Sequence, residues 1–210
     1  MRLYDTRMAP NPRRVRIFLA EKGVEVPTTE INILEGENLR SDYLAVNPRG
    51  LLPTLELDDG TRIDETIAIC RYFEETHPEP NLMGRNAVEK AVIESWQRHM
   101  EFDGMLSVGE FFRNSFPSFS NRGLPGVTET VKAIPALVDR GTGSVKRFYD
   151  RLEARLGESA FIAGGRFSIA DITALCVVDF ASFAKLPIPE GNRNTKRWHS
   201  TVSSRPSAVA

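Results

Sequence analysis

The stretch from Asn47 to Glu65, Asn-Pro-Arg-Gly-Leu-Leu-Pro-Thr-Leu-Glu-Leu-Asp-Asp-Gly-Thr-Arg-Ile-Asp-Glu, leaves this chain few choices. Asp59-Gly60 is a two-residue hairpin signal, because both central positions of such a turn favour positive φ. The turn joins a strand over residues 54–57, with Leu55 and Leu57 on one face, to a returning strand over residues 61–63. Asp64 then stands where a helix cap belongs, with Glu65 and Thr66 in the first turn. Pro53 opens the first strand although it has no N–H to give a ladder. A cis Leu52–Pro53 bond accounts for that: it bends the chain and leaves the Leu52 N–H and C=O free for an added extended peptide. The alternative is an ordinary trans bond at a strand start.

Upstream, Leu3 and Tyr4 read as a first strand and residues 5–11 as a loop. Pro12 opens a helix whose stripe is Val15, Phe18 and Leu19 and whose end is Lys22-Gly23. Residues 28–33 alternate as a strand, and residues 36–47 are looser, helical over 41–46. With the hairpin and a helix over 65–76 the order is β-α-β-α-β-β-α. This is an α/β thioredoxin-like domain with a mixed four-stranded sheet. A thioredoxin carries Cys-x-x-Cys at the start of its first helix. Here that place holds Met8-Ala9-Pro10-Asn11-Pro12-Arg13, so any thiol chemistry uses a thiol from outside.

His77-Pro78-Glu79-Pro80-Asn81 breaks the pattern. It divides the chain into residues 1–77, a linker over 78–85, and an all-α helical bundle domain over 86–210. In the second part, residues 86–112 form one long helical pattern bent near Gly104, and residues 111–126 read as a loop. A helix over 128–140 is broken by Pro135, and residues 144–156 are amphipathic. Ser168 with Asp171 three residues on is a capping box, assigned to folding. The net charge of −1 gives no basic face for nucleic acid. No apolar run approaches the ~20 residues of a membrane span, and no secretory signal opens the chain, which points to the cytoplasm. Three histidines lack metal-site spacing, and Cys70 and Cys176 fall inside apolar helical patterns.

Asn47-Pro48-x-Gly50-x-Leu52-Pro53-Thr54-Leu55 followed by Asp64-Glu65-Thr66 resembles the glutathione-binding signature of the cytosolic glutathione transferases. Ser168-x-x-Asp171, Trp198 and the Arg205-Pro206 ending are similar to that family's helical domain, so the resemblance spans the chain. It implies a cis Pro53, Leu52 pairing with the cysteinyl backbone of glutathione, and Glu65 with Thr66 holding its γ-glutamyl group. It further implies glutathione as cosubstrate, no metal, and a homodimer. Asn38 matches a position that contacts the glycyl end, or serves as a loop cap. Leu51 stands where relatives carry Lys or Gln.

The family activates the glutathione sulfur as a thiolate, and the usual serine position falls on Ala9, which cannot donate. Tyr4 and Thr6 are weaker candidates. Asn11 is the candidate activator, since some bacterial relatives with a Thr-Pro-Asn loop use asparagine there; the alternative is that it caps the helix starting at Pro12. Arg13, Arg14 and Arg16 read as a solvated helix face. An electrophile pocket is expected between the domains from Met8, His99, Met100, Asp103 and Phe111. The resemblance thus implies attack on hydrophobic electrophiles or reduction of disulfides and peroxides. A non-catalytic glutathione- or ligand-binding relative is the alternative, favoured by Ala9 and Leu51.

Overall fold

Leu3 and Leu55 are inaccessible to solvent, and the strands that carry them are the inner pair of the sheet. The computed structural model describes residues 1–210. Strand order is β2-β1-β3-β4, with β1 at Arg2–Asp5, β2 at Thr28–Glu30, β3 at Thr54–Glu56 and β4 at Arg62–Asp64. β2 runs parallel to β1, whereas β3 is antiparallel to both β1 and β4, with Leu3 opposite Leu55 and Leu55 opposite Ile63. The sheet is mixed and four-stranded, as the element order predicts. β2 stops at Glu30 instead of reaching residue 33, because the Asn32 side chain accepts from the Leu34 and Glu35 N–H groups and turns the chain.

α1 (Pro10–Lys22) makes the crossover between the parallel strands and begins two residues earlier than expected. Pro10 and Pro12 both sit in its first turn, where a missing N–H costs nothing. Gly23, at φ 65°, ends it in the left-handed region. α2 (Ser41–Leu44) is one short turn, and α3 (Thr66–Thr76) lays Ile69, Cys70 and Phe73 into the core beside Val15 and Phe18.

The helical half starts with α4 (Ala87–His99), a wide π turn (Met100–Met105) and α5 (Leu106–Ser115), which together make one bent rod. Gly104 in the π turn lets the helices carrying Phe148 and Val177 pack close: a Cβ there would lie 2.8 Å from the Phe148 ring and 2.9 Å from Val177. α5 continues through Ser115, so residues 111–115 are helical and the loop begins after them. The expected helices over 128–140 and 144–156 are in fact one helix, α6 (Pro135–Glu158). Residues 128–134 are irregular, and Pro135 does not break a helix but occupies its first turn. Gly141 and Gly143, each costing about 1 kcal/mol in helix propensity, do not interrupt it, because Gly141 is where α5 approaches: a Cβ there would stand 2.9 Å from the Phe111 nitrogen.

α7 (Ile169–Phe183) is buried on every side from Ile169 to Val178 and forms the axis of the helical half. Asp171 is wholly buried and accepts from the Ser168 N–H and Oγ, the Ile162 N–H and the Trp198 indole of α8 (Arg193–Ser203). The capping box therefore also ties three segments together. No helix is long and apolar enough to cross a membrane.

The three arginines of α1 are not a solvated face. Arg13 donates to Asp179 of α7 at 2.6 Å and to the Ala208 carbonyl at 2.9 Å. Arg14 is 3% exposed and donates to Thr173 of α7 and Glu101 of the π turn. Arg16 grips both oxygens of Asp5. The amphipathic reading of α1 failed because its polar face meets another domain instead of water. Long arginine side chains can cross such a seam and satisfy polar groups within it.

Candidate active site

Two loops and the start of two helices meet at the carboxyl side of β1. Ahead of β3, the Leu51 carbonyl accepts from the Tyr43 hydroxyl at 2.5 Å and from Asn47 Nδ2 at 3.1 Å. Asn47 and Tyr43 both reach Thr54 Oγ1 at 3.0 Å. Burial pushes the Tyr43 hydroxyl up to about 12, so it stays a donor. The clamp leaves the next residue uncommitted: Leu52–Pro53 is cis, and neither Leu52 N–H nor C=O is held by the chain. Gly50, at φ 59°, leaves no room for a side chain, since a Cβ would sit 2.9 Å from Leu39. Asn38 is buried and gives its Nδ2 to the Gly50 carbonyl at 2.7 Å. That bond makes it a cap of the loop, while its Oδ1 is buried without a partner.

After the hairpin, Glu65 adopts φ 65° and ψ 124°, a conformation rare outside glycine. Its carboxylate is exposed and pairs with Arg49. Thr66 begins α3, whose first turn carries no side-chain cap. Its leading N–H groups are open to an anion.

At the start of α1, Ala9 occupies the N-cap and offers no side chain to the helix. Pro10 and Pro12 have no N–H, and the Arg13 N–H is taken by the Ala9 carbonyl at 3.4 Å. Asn11 alone remains, in the first turn and not as the cap of a helix beginning at Pro12. Its Oδ1 accepts from Arg14 Nη1 at 3.1 Å, which turns Nδ2 the other way. The residue thus keeps two uncommitted donors, its backbone N–H and its amide. Arg14 is itself locked by Thr173 at 3.0 Å and Glu101 at 2.5 Å, and Glu101 also takes Arg98 at 2.6 Å. No sequence signal separated Arg14 from the less buried Arg13 and Arg16. Tyr4 meets Tyr43 edge-on at 5.9 Å, inside the domain. Thr6 is buried.

The chain's own thiols are inert. Burial pushes Cys70 up to about 12 and Cys176 up to about 11.

The pocket expected from Met8, His99, Met100, Asp103 and Phe111 is not assembled from those residues. His99, Met100 and Asp103 line a cleft of about 420 Å³ between α4 and α6, walled by the helical half alone. Asp103 is drawn to Arg151 of α6 at 2.7 Å, and Met100 is core. Phe111 packs where α5 closes on Gly141. Met8 lies in the first loop, 73% exposed. Phe112 of α5, Phe116 just past its end, and Phe180 and Phe183 of α7 form an aromatic wall in the helical half, with ring centroids 4.2 to 6.0 Å apart. Phe180 follows Asp179, which holds Arg13 in the first turn of α1. The loop after α5 reaches the other side: a Cβ on Gly126 would fall 2.3 Å from the Arg49 carbonyl oxygen and 2.9 Å from Leu51. The wall leaves no trace in the sequence, where Phe112 and Phe116 fall at the end of a helical pattern and in the loop expected after it, far from Phe180 and Phe183.

Comparison with known proteins follows the same geometry. Residues 9–76 match the family model described as glutathione S-transferase, N-terminal domain, and residues 135–200 match its C-terminal domain counterpart. Glutathione S-transferase 2 of Saccharomyces cerevisiae is 33% identical over 99% of this chain and 87% of its own. The crystal structure of Gtt2 from Saccharomyces cerevisiae superposes with a TM-score of 0.91 at 32% identity, covering 100% of both chains. A glutathione S-transferase domain-containing protein of Marinobacter aquaeolei VT8 gives 0.89 at 37% identity, covering 99% of each.

Proposed function

The chain belongs to the glutathione S-transferase family, and on that footing we propose that it is an enzyme in which Asn11 activates the glutathione sulfur. A free thiol has a pKa of ~8.5 and reacts as the thiolate. Lowering that value by two units takes about 2.7 kcal/mol of preferential stabilisation. A helix N-terminus with two aimed donors is a sufficient source. The observation that carries the reading is that, among two prolines and a capless alanine, Asn11 alone keeps free donors at the start of α1.

In this reading the cysteinyl backbone of glutathione pairs with Leu52 beside Pro53, and its γ-glutamyl group meets Glu65, Arg49 and the Thr66 end of α3. The thiolate then forms a C–S bond to a hydrophobic electrophile in front of the Phe112–Phe183 wall as the electrophile's leaving group departs, or breaks an S–S or O–O bond and expels a thiolate or alkoxide, a second glutathione then releasing glutathione disulfide. The proton leaves to solvent, and no metal is required. The reaction belongs in the cytoplasm, where glutathione is kept reduced. A homodimer is formed through α3, α4 and the π turn, which expose the apolar side chains Val92 and Phe102 and carry the charged groups Arg71, Glu94 and Arg98. Light scattering at micromolar concentration should give twice the 23.5 kDa chain mass.

The test is turnover with glutathione on chlorodinitrobenzene and on a mixed glutathione disulfide, for wild type and Asn11→Ala, with bound thiolate titrated by its ultraviolet absorbance. We expect the variant to lose about 100-fold in kcat and its bound thiol to titrate higher. An unchanged titration would refute the role of Asn11. Bound glutathione with no turnover on either substrate would make the chain a binding protein.

A further inference from the structure

We propose that Arg113 and Arg122 form a subsite for a carboxylate on the electrophile, so that the enzyme prefers aromatic electrophiles bearing an anionic group. The inference rests on the functional reading above and names the substrate class of that site. Arg113, on α5, and Arg122, in the loop that follows, are the two arginines that are half-buried yet have no carboxylate within 4.0 Å; the other unpaired arginines are exposed. Their guanidinium carbons lie 5.0 and 5.8 Å from the same ring centroid, that of Phe119.

Their hydrogen bonds go only to carbonyl oxygens. Arg113 Nη1 donates to the Arg122 carbonyl at 3.0 Å, and Arg122 Nη2 donates to the Ile33 carbonyl at 2.9 Å. These bonds anchor the side chains but leave both charges uncompensated. Burial, and then the neighbouring Arg122, push the Arg113 guanidinium down to about 10. Two like charges held against one aromatic ring in a partly desolvated place are mutually destabilising. A bound anion relieves that, and a planar guanidinium matches a carboxylate in two-point geometry.

The pair borders the phenylalanine cluster: the Phe119 ring, against which both guanidiniums lie, is 5.1 Å from that of Phe112. Arg122 ties its loop to the turn residues Ile33 and Leu34 after β2, and Gly126 of that loop lies against Arg49 and Leu51. An aromatic body against Phe112, Phe116 and Phe183 therefore has a pair of cations at its edge. Glutathione's own carboxylates are a second source of the same chemistry, and the test separates the two.

The experiment measures the affinities of S-benzylglutathione and S-(4-carboxybenzyl)glutathione by titration calorimetry, for wild type, Arg113→Gln and Arg122→Gln. The ratio of the two affinities is the readout, because damage to the fold or to glutathione binding weakens both conjugates alike. We expect wild type to favour the carboxylated conjugate by about 10-fold or more, the scale of a hydrogen bond to a charged group, and each variant to bring the ratio within about twofold of unity. A wild-type ratio near unity overturns the proposal; if both conjugates then weaken together in the variants, the arginines serve glutathione's own carboxylate. A preference that survives both substitutions also overturns it. Failure of wild type to bind either conjugate would instead refute the glutathione site itself.

Discussion

Replacing Arg14 by methionine tests whether the seam between sheet and helices holds Asn11 in place. Methionine keeps most of the aliphatic stem, so the loss is of polar contacts and not of packing. The Arg14 side chain is 4% exposed and donates to Thr173 at 3.0 Å, Asn11 at 3.1 Å and Glu101 at 2.5 Å. The two bonds to neutral acceptors count about 1 kcal/mol each and the bond to a carboxylate about 1.5–3, giving roughly 3.5–5 kcal/mol. Glu101 keeps Arg98 at 2.6 Å, so no buried carboxylate is stranded and the larger penalties of a broken buried pair do not apply. Urea unfolding should show a lower midpoint at unchanged slope, with Tm reduced by about 10 °C in a chain of this size. At the site, the Asn11 amide loses its anchor, and the bound thiol should titrate higher than in wild type though lower than in Asn11→Ala. A stability loss below about 1 kcal/mol would refute the claim that this guanidinium is locked. A normal loss with an unmoved thiol titration would show that Arg14 holds the fold but does not position Asn11.

Asp171→Asn leaves an amide facing four donors and strands at least one of them, the Ser168 hydroxyl being able to turn and accept, so it should cost about 1–3 kcal/mol in chemical denaturation; a loss too small to measure would contradict the hydrogen-bond assignment. Glu65→Ala should abolish retention on immobilised glutathione, and undiminished retention would move the site elsewhere. Burial raises the Glu21 carboxyl, but hydrogen bonds from Arg205 and Ser207 outweigh it and hold the group below its usual value. A depressed carboxylate stabilises the fold above its unfolded pKa of about 4.3 and loses that contribution as pH falls through the lower folded value. Glu21→Gln should therefore flatten the acid side of the stability profile below about pH 4.5, and an unchanged profile would exclude the pair as a contributor.

Local rules carried much of the fold. The Asp59-Gly60 turn, the alternation around Leu55 and the stripe of α1 set the sheet order, because turn geometry and period-two patterning act over a few residues. Pro53 and the Glu65-Thr66 pair marked the loop edge and helix start for the same reason, and the box at Ser168 and Asp171 marked α7. The start of α1 and the join across Gly141 were misread where tertiary packing overrode local preference.

The sequence by itself determined which segments become strands and helices and that Ala9 brings no hydroxyl to the first loop, since those follow from neighbours in the chain. Only the tertiary structure decided what the polar face of α1 would meet. It turned Arg13 and Arg14 from apparent solvent ligands into the seam, gathered phenylalanines from α5 and α7 into one wall, and set Arg113 beside Arg122 with no carboxylate near. Those outcomes depend on how two halves dock, and pairings across the Arg13–Asp179 or Arg122–Ile33 seam leave no periodic trace in either partner's own stretch.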